Sequence, residues 1–103
     1  MKSASLQYAN ALADIALEQG AGEPAAKQLE SFGAAYAQSA ELRTFLGSPA
    51  VSVEAKHEVL EKIAKRLGAS KIIRNFLLVI ADNRRTQLIP EIAAAQALLG
   101  ELA

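Results

Sequence analysis

The 103-residue sequence has no cysteine and no tryptophan, and its charges balance, with 11 basic and 11 acidic residues. Without cysteine, the chain has no disulfide scaffold and no thiolate metal ligands. A neutral chain also lacks the positive field that gathers nucleic acid or anionic lipid. No apolar run approaches the roughly 20 residues that cross a bilayer, and Met1–Leu6 lacks the continuous apolar segment and cleavage site expected of a signal peptide. These absences predict a protein that is intracellular and soluble, or peripheral to something larger, with no direct membrane insertion.

What the sequence does contain favours helices. Apolar residues make up 51% of the chain and aromatic residues only 5%, so alanine and leucine dominate, and both are good helix formers. We predict an all-α fold, in which residues 1–103 form one helical domain, a compact bundle of about six helices with one of them short. The predicted helices are Ser3 to Gln19, Pro24 to the residue before Ser39, Ala40 to Leu46, Ser52 to Leu67, Ser70 to Asn83, and Leu88 to the C-terminus.

Serines and glycines supply the expected helix ends. Ser39, Ser52 and Ser70 are predicted N-caps, because a serine hydroxyl accepts from the free amides of the first turn. Gly20 and Gly22 are predicted to end the first helix and Gly68 the fourth. Asn83 is predicted to end the fifth helix, since asparagine tolerates the left-handed conformation.

Two of the predicted helices have unusually wide apolar faces. On a helical wheel, the apolar arc of the fourth helix covers about 140°, whereas those of the first and fifth cover about 240° and 200°. One interpretation places both wide-faced helices at the centre of the bundle. The other leaves part of their surface as a groove that receives a partner helix.

The sequence offers little for catalysis. His57 is the only histidine and lies on a charged helix face, which predicts a solvated side chain rather than a ligand or base. We find no metal-binding spacing, nucleophile motif or phosphate loop. The sequence therefore predicts a protein without catalytic residues, metal or cofactor.

Several short motifs resemble the N-terminal domain of the F-type ATP synthase delta subunit, the family that includes the mitochondrial oligomycin-sensitivity-conferring protein. Their order and spacing follow the family along the whole chain. The motifs are Tyr8-Ala9-x-Ala11-Leu12, Phe45-Leu46-x-x-Pro49-x-Val51-Ser52 with Lys56, Asn75-Phe76-Leu77, Asp82-Asn83-Arg84-Arg85, and Leu88-x-Pro90-Glu91-Ile92.

The resemblance implies a non-catalytic subunit of the peripheral stalk, the stator that keeps rotation coupled to ATP synthesis. It also implies that the N-terminal helix of an alpha subunit binds in a groove between the first and fifth helices. The residues expected to line this groove are Tyr8, Ala11, Leu12, Ile15, Leu77, Ile80, Ala81 and, at its rim, Arg84.

Family members continue into a C-terminal domain that meets the b subunit of the stalk, whereas this sequence stops after its sixth helix. We therefore expect a fragment or isolated domain that does not bind b itself. The resemblance also implies a location peripheral to the bacterial inner (plasma) membrane, on its cytoplasmic side, as part of the synthase.

Two alternatives stay open at this point. A helical RNA-binding domain would use the basic residues Lys71, Arg74, Arg84 and Arg85, although no aromatic platform accompanies them. A homo-oligomeric helical bundle would instead pair its wide apolar faces with those of its own copies.

Overall fold

A computed structural model describes the backbone of residues 4–18 and 22–102, and the side chains of residues 4–18 and 25–97. Six α-helices and one 3₁₀ turn account for nearly all of this backbone. The elements are α1 (Ala4–Glu18), α2 (Gly22–Gln38), α3 (Ala40–Gly47), α4 (Val53–Arg66), α5 (Lys71–Asp82), the 3₁₀ turn Thr86–Leu88, and α6 (Ile89–Leu102). The predicted all-α bundle of six helices with one short member is confirmed.

The helix boundaries differ from the prediction at a few points. Gly22 begins α2 instead of ending the helix before it. The predicted ends of the first helix, at Ser3, Gln19 and Gly20, lie outside the described residues. The 3₁₀ turn that precedes α6 had no counterpart in the sequence prediction.

Two of the three predicted serine caps form hydrogen bonds. Ser39 Oγ accepts from the amide of Leu42, and Ser52 Oγ accepts from the amide of Ala55, both at 3.1 Å. Ser70 occupies the N-cap position of α5 but makes no side-chain capping bond. Its backbone amide instead donates to Gln28 Oε1 at 2.7 Å, so Ser70 connects α5 to α2.

The C-terminal ends of α4 and α5 share one geometry. After α4, Gly68 has φ +71°, and the amide of Ala69 reaches back to the carbonyl of Ala64 at 2.8 Å. After α5, Arg84 has φ +57°, and the amide of Arg85 reaches back to the carbonyl of Ile80 at 3.0 Å. Both are Schellman endings. The predicted end of the fifth helix at Asn83 is confirmed, because Asn83 is the C-cap of α5. Its φ is −84°, however, and Arg84 takes the left-handed conformation expected of Asn83.

The core is organised around α6. Both α1 and α2 pack chiefly against α6, whereas α5 packs chiefly against α4. Gly33 lets α2 approach α6 closely, since a Cβ added there would lie 3.4 Å from Ala93 Cβ. A hydrogen bond of 2.6 Å from Ser5 Oγ to Glu91 Oε2 also joins α1 to α6. The largest fully buried side chains are Phe32, Leu12, Leu29, Leu60, Ile73, Leu77, Ile80, Ile89 and Ile92.

Candidate functional site: the groove between α1 and α5

Helices α1 and α5 run side by side but touch at few points. The rings of Tyr8 and Phe76 meet edge to face, with centroids 6.2 Å apart and planes at 80°. Asn83 Nδ2 donates to the Tyr8 hydroxyl at 2.9 Å. Since the start of α1 thus meets the end of α5, the two helices are antiparallel.

An open groove lies between these helices. Its cavity volume is about 550 Å³, and its lining is mainly apolar. Ile15 and Val79 stand on its two walls with 44% and 51% of their surface exposed. The lining residues of this α1–α5 groove are Tyr8, Ala11, Leu12, Ile15, Lys71, Ile72, Asn75, Phe76 and Val79.

The structure places the four residues predicted from the first helix in the groove lining. Tyr8, Ala11 and Ile15 are at least partly exposed there, whereas Leu12 is fully buried and forms part of the floor. The wide apolar face of α1 therefore serves both the core and the groove.

The structure places the residues predicted from the fifth helix outside the groove lining. Leu77, Ile80 and Ala81 are 1%, 0% and 8% exposed and belong to the core, because this part of the α5 surface packs against the other helices of the bundle. Arg84 does not line the groove either and instead lies at a second pocket, with His57 and Asp82.

The groove wall on α5 is formed by residues that the prediction omitted. They are Lys71, Ile72, Asn75, Phe76 and Val79. Three of them, Ile72, Phe76 and Val79, are apolar and lie at one edge of the wide apolar arc of α5. Their place on this arc was the sign in the sequence that they could line the groove. A single sequence does not indicate which edge of such an arc a neighbouring helix covers.

A more polar depression continues the groove towards the end of α5. It shares Tyr8 and Ala11 with the groove and is also lined by Ala4, Gln7, Asn83 and Arg85. Lys71 stands at the opposite end. The basic residues of the RNA-binding alternative are thus divided. Lys71 and Arg74 lie in the first turn of α5, about 15 Å or more along the helix from Arg84 and Arg85, which follow its end.

The sequence predicts a solvated His57, but in the structure this side chain has a partner. Its Nε2 lies 2.6 Å from Asp82 Oδ1, so it links α4 to α5, and its side chain is 32% exposed. Within the described residues, no group of three histidine, cysteine, aspartate or glutamate side chains is placed to hold a metal ion. In the same part of the chain, no helix has both the length and the apolar character required to cross a membrane.

Comparison with known proteins gives a consistent result. The family model described as ATP synthase delta (OSCP) subunit matches residues 4–101. ATP synthase subunit delta of Rhizobium etli is 40% identical over 84 residues, which are 82% of this chain and 45% of that protein. The subunits delta of Koribacter versatilis and Geobacter metallireducens are 34% and 33% identical over 90% and 92% of this chain, and over 52% and 53% of their own lengths. The chain spans about half the length of the curated relatives it matches.

Proposed function

The chain belongs to the ATP synthase delta (OSCP) family, and we propose that it is a non-catalytic stator component that binds the N-terminal helix of an alpha subunit in the α1–α5 groove. Binding there anchors the peripheral stalk to the catalytic head. The head then cannot turn with the rotor, and rotation stays coupled to ATP synthesis. The contact with the b subunit belongs, in this proposal, to the half of the family's length that this chain does not span. The chain thus acts at the periphery of the membrane-bound complex.

The observation that carries the proposal is the exposure of Ile15 and Val79 on facing walls of the α1–α5 groove. Exposed apolar side chains that converge on one cavity are typical of binding sites rather than of ordinary surface. At about 25 cal/mol per Å², covering a few hundred Å² stabilises a complex by several kcal/mol before the cost of association.

The length of the groove fits a helix. Along α1, the lining residues extend from Ala4 to Ile15, which corresponds to about 16 Å or three turns. An amphipathic helix docks in such a groove through apolar residues at positions i, i+3 or i+4, and i+7. Ala11 lines the middle of the groove, and its small side chain lets the backbone of a partner helix come close.

The proposal is tested by NMR titration of the chain with a peptide of the alpha-subunit N-terminal helix from the same source. We expect amide shifts along α1 and α5 and a dissociation constant that rises at least tenfold in Ile15→Asp. Leu17→Asp is a matched control, because Leu17 is 64% exposed on the same helix and does not line the groove.

Two outcomes would contradict the proposal. The first is an absence of binding at high micromolar peptide, or shifts confined to other helices. The second is a stable dimer in sedimentation experiments in which the groove residues are protected, since a second copy of the chain would then be the occupant. Binding of mixed RNA at low salt that depends on Arg84 and Arg85 would favour the RNA-binding alternative.

A further inference from the structure

A second pocket lies away from the groove, where α3, α4 and the end of α5 meet. Its volume is about 510 Å³, and we call it the α4 pocket because Ser52 and Val53 place the N-terminus of α4 in its wall. It is lined by Leu46, Gly47, Pro49, Val51, Ser52, Val53, Lys56, His57, Ala81, Asp82, Arg84, Thr86 and Gln87. From this pocket we propose that the chain binds a phosphate group, free or carried by a small molecule.

Lys56 is the main evidence. Only 9% of its surface is exposed, and among the described residues its ammonium has no hydrogen bond or ion pair. Lysines with this much of their surface buried are usually paired. The ammonium is not fully enclosed by protein, and the α4 pocket is the space that it lines. An anion in that pocket would supply the missing partner.

Three further groups in the wall favour an anion. Thr86 is 3% exposed, and its hydroxyl also lacks a partner among the described residues. The first amides of α4 at Val53 and Glu54 have no acceptor within the helix, and a helix N-terminus attracts negative charge. Arg84 also lines the pocket and has a left-handed backbone conformation that is sterically unfavourable for a non-glycine residue.

The number and direction of these donors favour phosphate over a carboxylate. The donors come from three segments, namely Lys56 and the first amides of α4, Arg84 after α5, and Thr86 in the 3₁₀ turn, which suits a tetrahedral group with several acceptor oxygens. One arginine suffices for the two oxygens of a carboxylate. The single carboxylate in the wall, that of Asp82, is already bound to His57 at 2.6 Å. The volume also exceeds what a phosphate group alone occupies, so a small molecule that carries it has room.

The test is a titration of the 103-residue chain with inorganic phosphate at low ionic strength, followed by ¹H–¹⁵N NMR with sodium chloride as the ionic-strength control. We expect saturable shifts at residues 52–57 and at Thr86. Lys56→Met should weaken binding at least tenfold, since it keeps the aliphatic side chain and removes the charge. Lys65→Met is the matched control, because Lys65 is exposed on the same helix and should bind as the unmodified chain does.

Arg84→Gln keeps the test decisive if Lys56→Met affects folding, because Arg84 is exposed. We expect severalfold weaker phosphate binding. Shifts that never saturate, or that Lys65→Met reduces as much as the pocket variants do, would overturn the proposal. So would phosphate binding that is unchanged both in Arg84→Gln and in a folded Lys56→Met.

Glycerol 3-phosphate and a tetraglutamate peptide distinguish the sources of the anion. Tighter binding of glycerol 3-phosphate than of inorganic phosphate would support a phosphorylated small molecule, and the reverse order would support free phosphate. Saturable binding of the peptide without any phosphate binding would overturn the proposal in favour of an acidic protein segment. None of these outcomes depends on what occupies the α1–α5 groove.

Discussion

The ring of Tyr8 packs edge to face against that of Phe76, with the ring centroids 6.2 Å apart, and the Tyr8 hydroxyl accepts a hydrogen bond from Asn83 at 2.9 Å. One side chain of α1 thereby contacts α5 near its middle and at its end. These contacts set the spacing of the two helices, so the groove is formed before any partner arrives. A preformed groove lowers the entropic cost of binding.

Tyr8→Phe separates the two contacts of Tyr8. The ring contact remains and the hydrogen bond is lost, but the exposed Asn83 amide can turn to water. We expect the free energy of unfolding to fall by about 0.5–1 kcal/mol, as measured by urea denaturation. Tyr8→Ala removes both contacts and should cost clearly more. Equal losses in the two variants would show that the ring contact contributes nothing.

Leu77→Asp and Val79→Asp distinguish the core side of α5 from its groove side. Leu77 is 1% exposed and Val79 is 51% exposed. A carboxylate at position 77 would be buried without a partner, so we expect loss of helical circular dichroism and more than about 3 kcal/mol of destabilisation. Val79→Asp should keep the spectrum of the unmodified chain and weaken binding of the alpha peptide at least tenfold. A folded Leu77→Asp would contradict this assignment of the two faces.

Arg84→Gly should make the chain more stable. Glycine adopts φ +57° without the steric cost that arginine has there, and we expect a gain of about 0.5–1 kcal/mol in urea denaturation. Arg85→Gly is the control, because Arg85 has φ −121° and gains nothing from glycine. A stabilised Arg84→Gly that binds phosphate more weakly would link the strained backbone to the α4 pocket.

Ser52→Ala and Ser70→Ala compare two serines at N-cap positions. Ser52 accepts a hydrogen bond from the amide of Ala55, whereas Ser70 makes no side-chain cap. We expect Ser52→Ala to cost about 1 kcal/mol of unfolding free energy and Ser70→Ala only a few tenths. The midpoints of thermal unfolding should follow the same order. A larger effect at Ser70 would contradict the described geometry of the two caps.

The presence of the helices could be predicted from the sequence, because the residues within and at the ends of each helix largely determine whether it forms. Ser39 and Ser52 cap helices as expected, and Gly68 ends α4 with the positive φ that glycine permits. The left-handed residue after α5 was misplaced by one position, from Asn83 to Arg84. Intrinsic preference favours asparagine there, but the length of α5 is set by its packing, and the strained position then falls on the next residue.

The groove could be predicted only in part. On a wheel, Val79, Ile72 and Phe76 cover about 60° at one edge of the α5 arc, and Ile80, Ile73, Leu77 and Ala81 cover about 100° at the other. Residue types do not reveal which part faces neighbouring helices. Lys56 shows the same limit, since it lies among charged residues in the sequence yet is buried in the structure, where it lines one pocket with the turn between α3 and α4 and the end of α5.

The hydrogen bond between Ser5 and Glu91 has a mechanical consequence. It joins residues 86 positions apart in sequence, and it adds to the close packing of α1 on α6. A tensile load on a helix docked in the α1–α5 groove would therefore pass from α1 directly into α6, as well as into α5. Shearing two packed helices breaks many contacts at once, whereas peeling breaks them one at a time. The contact between α1 and α6 thus resists a pull along the axis of α1 better than a pull away from it.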